Sequence, residues 1–137
     1  MPRLHGVLVL LVAALALLAA GCGGSSESEE SEDATPAEAI AEIATIRTAL
    51  DDAVAKVRAG DAEAAETTVG DAYLEHFEHV EDPLGERDHD LMEELEESIS
   101  TDLRNQIKAG EDAAAIEASV ANIKSNLDRA VEVLQAS

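Results

Sequence analysis

From residue 36 onward apolar side chains recur at every third or fourth position, in four stretches separated by glycine, proline and acidic residues. That period places a continuous apolar stripe on one face of an α-helix. The first stripe is Ile40, Ile43, Ile46, Leu50, Val54 and Val57. It opens at Thr35-Pro36-Ala37-Glu38, where Thr35 is placed to cap, Pro36 suits the first helical position and Glu38 completes a capping box. Gly60 stands where a left-handed residue closes a helix and Asp61 where the next is capped, so the first two helices are expected to form a tight hairpin. The second stripe is Val69, Tyr73, Phe77 and Val80, with Leu74 beside it, and is expected to stop before Pro83. Pro83-Leu84-Gly85-Glu86-Arg87 then reads as the longest connection, with Asp88 as the cap of a third helix. That helix turns Leu91, Met92, Leu95, Ile99, Leu103 and Ile107 inward and ends at Gly110. The fourth, capped by Asp112, carries Ile116, Val120, Ile123, Leu127, Ala130 and Leu134. No stretch alternates with period two for long enough to make a strand. The expected fold is all-α, an up-down-up-down four-helix bundle over residues 36–137.

The first 35 residues follow another pattern. Arg3 gives a short basic start, and Val7 to Ala20 is an apolar run of 14 residues, the length of a signal-peptide core and short of the ~20 needed to span a bilayer. The segment Leu18-Ala19-Ala20-Gly21-Cys22 resembles the lipobox of bacterial lipoproteins, with Ala19 where leucine is usual. The resemblance implies that residues 1–21 are removed and that Cys22 becomes a lipidated N-terminus; the plainer alternative is an ordinary secretory signal with an incidental cysteine. Residues 22–35 contain five acids and no base, and read as a flexible acidic tether. The expected location is extracytoplasmic, lipid-anchored to the cell membrane.

Charge narrows the partners. Lys and Arg number 9 against 30 Asp and Glu, a formal charge of −21, which excludes nucleic acid because phosphate binding needs a basic face. With the signal and tether set aside, 25 acids and 8 bases remain. The single Cys excludes a disulfide within the chain, and one Tyr and one Phe make no platform for stacking bases or sugars. A Gly-rich phosphate loop, an H-E-x-x-H pair and a nucleophile elbow are all missing, so a non-enzymatic protein is expected. A carboxylate-bridged di-metal oxidase would need Glu-x-x-His on two helices, and Glu86-x-x-His89 is the only instance.

Candidate chemistry is concentrated in one window. Glu75 to Glu97 holds eleven acids, three His and one base, Arg87. Folding the second helix back on the third brings the window to one pole, with His76, Glu78, His79 and Glu81 approaching Asp88, His89 and Glu93. His76 with His79, Glu78 with Glu81, and His89 with Glu93 stand three or four apart, the spacing that puts two ligands on one helical face. Carboxylate with imidazole suits iron, manganese or zinc. Tyr73 pairs with Phe77 four residues on, which reads first as core packing and second as a phenolate ligand to ferric iron. The alternative for the whole window is solvated acidic surface. Glu66, Asp102 and Gln106 project near the stripe centres, where they would pair across the core, line an inner site or lie partly exposed near a helix end.

The run Ala72-Tyr73-Leu74-Glu75-His76-Phe77-Glu78-His79-Val80-Glu81-Asp82-Pro83-Leu84, followed by Asp88, Leu91, Met92 and Glu93 and later by Asn126-Leu127-Asp128, resembles the extracytoplasmic helical domain joined to high-affinity iron permeases of bacteria and archaea. The family pattern of Tyr, then Phe-Glu, then Glu and Leu falls on Tyr73, Phe77, Glu78, Glu81 and Leu84, and the likeness runs from about Ile40 to Leu134. The membrane-embedded half of those permeases, with its Arg-Glu-x-x-Glu motif, is absent: after residue 22 there is no span of 18 apolar residues. The resemblance therefore implies a stand-alone, lipid-tethered accessory domain that captures or delivers iron, ferrous or ferric, with an iron permease as partner and Glu78 and Glu81 as the matched carboxylates. The competing expectation is an acidic interaction module that docks a basic partner and binds no metal.

Overall fold

The computed structural model describes residues 34–136. The expected signal peptide, the lipidation site Cys22 and the tether up to residue 33 lie outside the described residues. Four helices follow: α1, Pro36–Arg58; α2, residues 62–85; α3, residues 89–109; and α4, Ala113–Gln135. The described residues contain no strand.

The punctuation acts as its chemistry requires. The Thr35 hydroxyl accepts from the Glu38 backbone N–H at 3.3 Å, and the Thr35 N–H donates to the Glu38 carboxylate at 2.8 Å, a complete capping box. Asp61, Asp88 and Asp112 each accept a backbone N–H three residues on, at 2.9 to 3.1 Å. Gly60 and Gly110 take φ of 81° and 72°, the left-handed conformation that lets α1 and α3 turn straight into the next cap.

Two features depart from the sequence pattern. First, α2 does not stop before Pro83 but continues through Gly85, leaving a connection of only 86–88. Pro83 stands in the last turn, so its missing N–H removes a single backbone bond. Pro83 and Leu84 are both buried, and Arg87 Nη1 donates to the Pro83 carbonyl at 2.8 Å. Burial of two apolar side chains thus offsets what the ring disrupts. Second, α2 and α3 each contain a π-helical turn, Tyr73–Phe77 and Ser98–Leu103. A π turn accommodates one extra residue and re-aims the side chains that follow.

The stripes converge on an aliphatic core with Phe77 as its one aromatic side chain at full burial. All six predicted positions of α4 are buried, Ile40 and Val57 pack at the ends of the α1 stripe, and Leu74 stands outside with 57% exposure. No polar or charged residue among those described is fully buried. Polar pairs therefore lie along the seams. On α1 and α2 they are Glu42 with His76 and Lys56 with Thr68. On α1 and α4 they are Arg47 with Asp128, Asp51 with Lys124, and Arg58 with Glu117. Glu66 and Tyr73 of α2 meet Arg104 and Glu96 of α3, while Glu94 and Gln106 of α3 meet Asn126 and Ser119 of α4. On every seam the residue number falls on one helix as it rises on the other. Of the polar residues expected near the stripe centres, Glu66 and Gln106 are half-buried and paired, and Asp102 is exposed.

Candidate metal centre

The last three turns of α2 carry five of the seven expected ligands, and their distribution follows from helical geometry. Residues five apart on a helix stand roughly 140° round from one another, so His76 and Glu81 face different neighbours. The structure accordingly divides the expected cluster into two flanks and an exposed edge.

On the α3 side, the Tyr73 and Phe77 rings stack with centroids 5.9 Å apart and planes at 26°. Phe77 is fully buried; Tyr73 is half-buried, and its hydroxyl donates to Glu96 Oε1 of α3 at 3.3 Å. Burial and the neighbouring carboxylates of Glu81 and Glu96 push the phenol up to about 12. Glu81 is half-buried beside it. Burial raises its carboxyl above the ordinary carboxylate value; the Tyr73 hydroxyl partly opposes this, and Glu96, Glu78 and Asp82 add to it. Its Oε1 is buried without a hydrogen-bond partner. The phenolic proton thus goes to Glu96 with Glu81 beside it, and among the described residues no Lys or Arg pairs with either carboxylate. Beyond Glu81 and Glu96 a groove of about 370 Å³, lined also by Glu86, His89 and Met92, opens the group to solvent.

On the α1 side, His76 Nδ1 lies 2.7 Å from Glu42 Oε2. His79, exposed, borders a shallow groove of about 210 Å³ with Glu38 and Glu42. Glu38 is held below the ordinary carboxylate value mainly by its hydrogen bonds from Thr35, with a smaller contribution from His79. The exposed edge is α3, where His89 Nε2 stands 3.4 Å from Glu93 Oε1 with both side chains more than 60% exposed. Glu78 projects into solvent.

Tyr73 and Glu81 are therefore brought together, His76 and His79 share a second flank, and His89 and Glu93 pair with each other alone. Among the described residues no three His, Cys, Asp or Glu side chains converge closely enough to hold an ion. The Tyr73 group has two carboxylates and a phenol, oxygen donors throughout. It suits a hard cation or proton sharing. Sequence reasoning missed Glu96 and Glu42. Glu42 was within reach, because folding the chain back about Gly60 sets it opposite the His76–His79 turn. Glu96 had no such signal, since the π turn of α2 shifts the register by which Tyr73 meets α3.

Among the described residues no helix is long and apolar enough to cross a membrane. No curated protein and no solved structure matches the chain. One family does, over residues 12–137, and its description names no metal, partner or activity. The chain therefore belongs to the DUF5059 family, a domain of unknown function.

Proposed function

We propose that this protein is a non-enzymatic extracytoplasmic lipoprotein, anchored through Cys22, that captures iron at the membrane face or delivers it to a permease. In this reading the chain is an up-down-up-down four-helix bundle, supported by the opposed residue numbering along all four seams. The observation that carries the function is the Tyr73, Glu81 and Glu96 group: oxygen donors on two helices, one buried carboxylate oxygen without a partner, and no base to neutralise them. Ferric ion is the cargo that fits. A trivalent cation beside Tyr73 reverses the effect of the two carboxylates, releases the phenolic proton and gives the orphaned oxygen a partner. The resemblance to iron-permease domains, which matches Tyr73 and Glu81, agrees with that choice. Of the expected histidine ligands, His89 lines the groove that leads to this group and would act as a secondary donor, while His76 and His79 lie on the α1 flank, away from it.

Titrating the mature chain with chelated ferric ion tests the reading. A visible phenolate-to-iron absorption band is expected, absent in Tyr73→Phe and at least about ten-fold harder to saturate in Glu81→Gln or Glu96→Gln. Absence of both the band and saturable uptake overturns it.

A second reading has its own observation. Leu74 is the one large apolar side chain exposed among the described residues, and Asp71, Glu75 and Glu78 nearby on α2 are exposed with it. A basic partner with an apolar contact would dock there. Capture of such a partner would weaken steeply with salt and with Leu74→Ser, and would not respond to iron.

A further inference from the structure

We propose, resting on the iron reading, that the groove leading to the Tyr73 group is a subsite for the carrier on which ferric ion arrives: it takes small neutral or cationic chelates of the hydroxamate class and rejects polycarboxylates. Glu81 and Glu96 belong both to the Tyr73 group and to the groove lining, so an ion held by them lies at the groove's inner end. Tyr73, Glu81 and Glu96 fill only part of the coordination shell of a ferric ion. Among the described residues no three His, Cys, Asp or Glu side chains converge to hold an ion unaided. The remaining donors must therefore come from the solvent side, through the groove, and a chelate that keeps part of its carrier supplies them.

The groove has room for that carrier. Its volume of about 370 Å³ exceeds the six-water shell of an ion, roughly 180 Å³ at about 30 Å³ per water, and falls in the range of small-molecule sites, about 300–1,000 Å³. Gly85 makes part of the room. It stands in the last turn of α2, where a Cβ would lie 3.5 Å from Met92 Cε and 4.0 Å from His89 Nδ1. Those are ordinary contact distances, so the helix tolerates a side chain at this position, but a long one would fill the groove. With none there, the Gly85 backbone and the half-buried Met92 side chain form an apolar patch in the wall, suited to the carbon skeleton of a carrier.

Charge decides which carrier. The ionisable lining is four carboxylates, Glu81, Asp82, Glu86 and Glu96, with the imidazole of His89. Arg87, the one base between Glu75 and Glu97, does not line the groove; its Nη1 donates back to the Pro83 carbonyl at 2.8 Å. A polycarboxylate carrier such as citrate brings like charge to like and finds no Lys or Arg to receive it. The half-buried setting of Glu81 and Glu96 strengthens that repulsion. Hydroxamates bind iron through singly charged oxygen pairs, so their ferric complexes are positive or neutral. Their uncharged remainder meets Gly85 and Met92 at no electrostatic cost.

Equilibrium dialysis of the mature chain against radiolabelled ferric ion, buffered to the same free-ion activity with acetohydroxamate or with citrate, tests the proposal. A site that takes the bare ion loads equally from both, because occupancy then follows free-ion activity alone. Half-saturation at an at least about five-fold lower free-ion activity is expected in acetohydroxamate, with labelled acetohydroxamate retained beside the iron. Gly85→Leu should abolish both the preference and the retained carrier. Glu86→Lys, at an exposed position, should narrow the preference by admitting citrate, and it decides the matter if Gly85→Leu loses its helical circular dichroism. Equal loading from the two carriers, still lost in Tyr73→Phe, overturns the carrier subsite and leaves the iron reading standing. A preference for citrate, or one for acetohydroxamate that the folded variants leave unchanged, also overturns the subsite. Loading from neither carrier overturns both readings.

Discussion

The two ends of the α2–α3 seam are built on the same pair of helices and treat a half-buried carboxylate in opposite ways. At one end Glu66 receives Arg104 Nε at 2.7 Å and Lys108 Nζ at 3.1 Å, and these hydrogen bonds hold its carboxyl below the ordinary value. At the other end Glu81 meets a phenol and a second carboxylate, and burial raises it. Both glutamates sit on α2 facing α3, with the π turn Tyr73–Phe77 between them. What differs is the supply of bases. Six of the eight bases in the bundle, Arg47, Lys56, Arg58, Arg104, Lys108 and Lys124, take part in ion pairs, leaving Arg87 and Arg129 without one. An end of a seam that strong ion pairs do not stabilise must be held by its apolar layer, and it keeps a negative site ready for a cation.

The largest effect expected from that contrast is on the apolar layer. Phe77 lies under Tyr73 at full burial, and Phe77→Ala should lower stability by about 3–5 kcal/mol in denaturant melts. A loss below 1 kcal/mol would mean that the acidic end is held by something other than packing. Next is Glu81→Gln, which removes the repelled charge and lets an amide donate to Glu96. It should stabilise the fold by about 1 kcal/mol at neutral pH. The sign follows from linkage: a folded-state value above the unfolded one means that the native protein holds the extra proton. Wild-type stability should then fall as pH rises from the ordinary carboxylate range through the raised value, and the variant should be flat across that window.

Glu66→Ala should act in the opposite sense and more weakly, because solvent screens a pair of this exposure. A loss of about 1 kcal/mol or less is expected at neutral pH. Its carboxyl is depressed, so the contribution is complete above the ordinary carboxylate range and disappears as pH falls through the depressed value. Equal pH responses in the two variants would erase the distinction between the ends. The smallest effect belongs to Lys124 with Asp51 on the α1–α4 seam, where a double-mutant cycle should give a coupling of a few tenths of a kcal/mol that declines with salt.

Much of the fold could be read from single residues. Thr35, Gly60, Asp61, Asp88, Gly110 and Asp112 act where their local chemistry predicts, because capping and left-handed closure depend only on a few neighbouring backbone groups. Pro83 was misread for the converse reason. A proline ends a helix on local grounds, and only the burial of its own ring and of Leu84 against the core allows the last turn to persist. The candidate site was half legible: the concentration of acid and histidine was visible, and so was Tyr73 beside Phe77. Glu96 was hidden among the acids of α3, and which histidines face Glu42 depends on the rotation of α2 against α1.

The apolar period by itself determined that the described residues are helical and which side of each helix is buried, because burying a stripe is how such a pattern leaves water. Composition determined that acids outnumber bases throughout. Tertiary structure alone decided which acids meet a base. That choice depends on the register of one helix against another, and on two π turns that no three-or-four spacing announces. The result is that Glu66 is neutralised, while Glu81 and Glu96 on the same seam face one another across Tyr73.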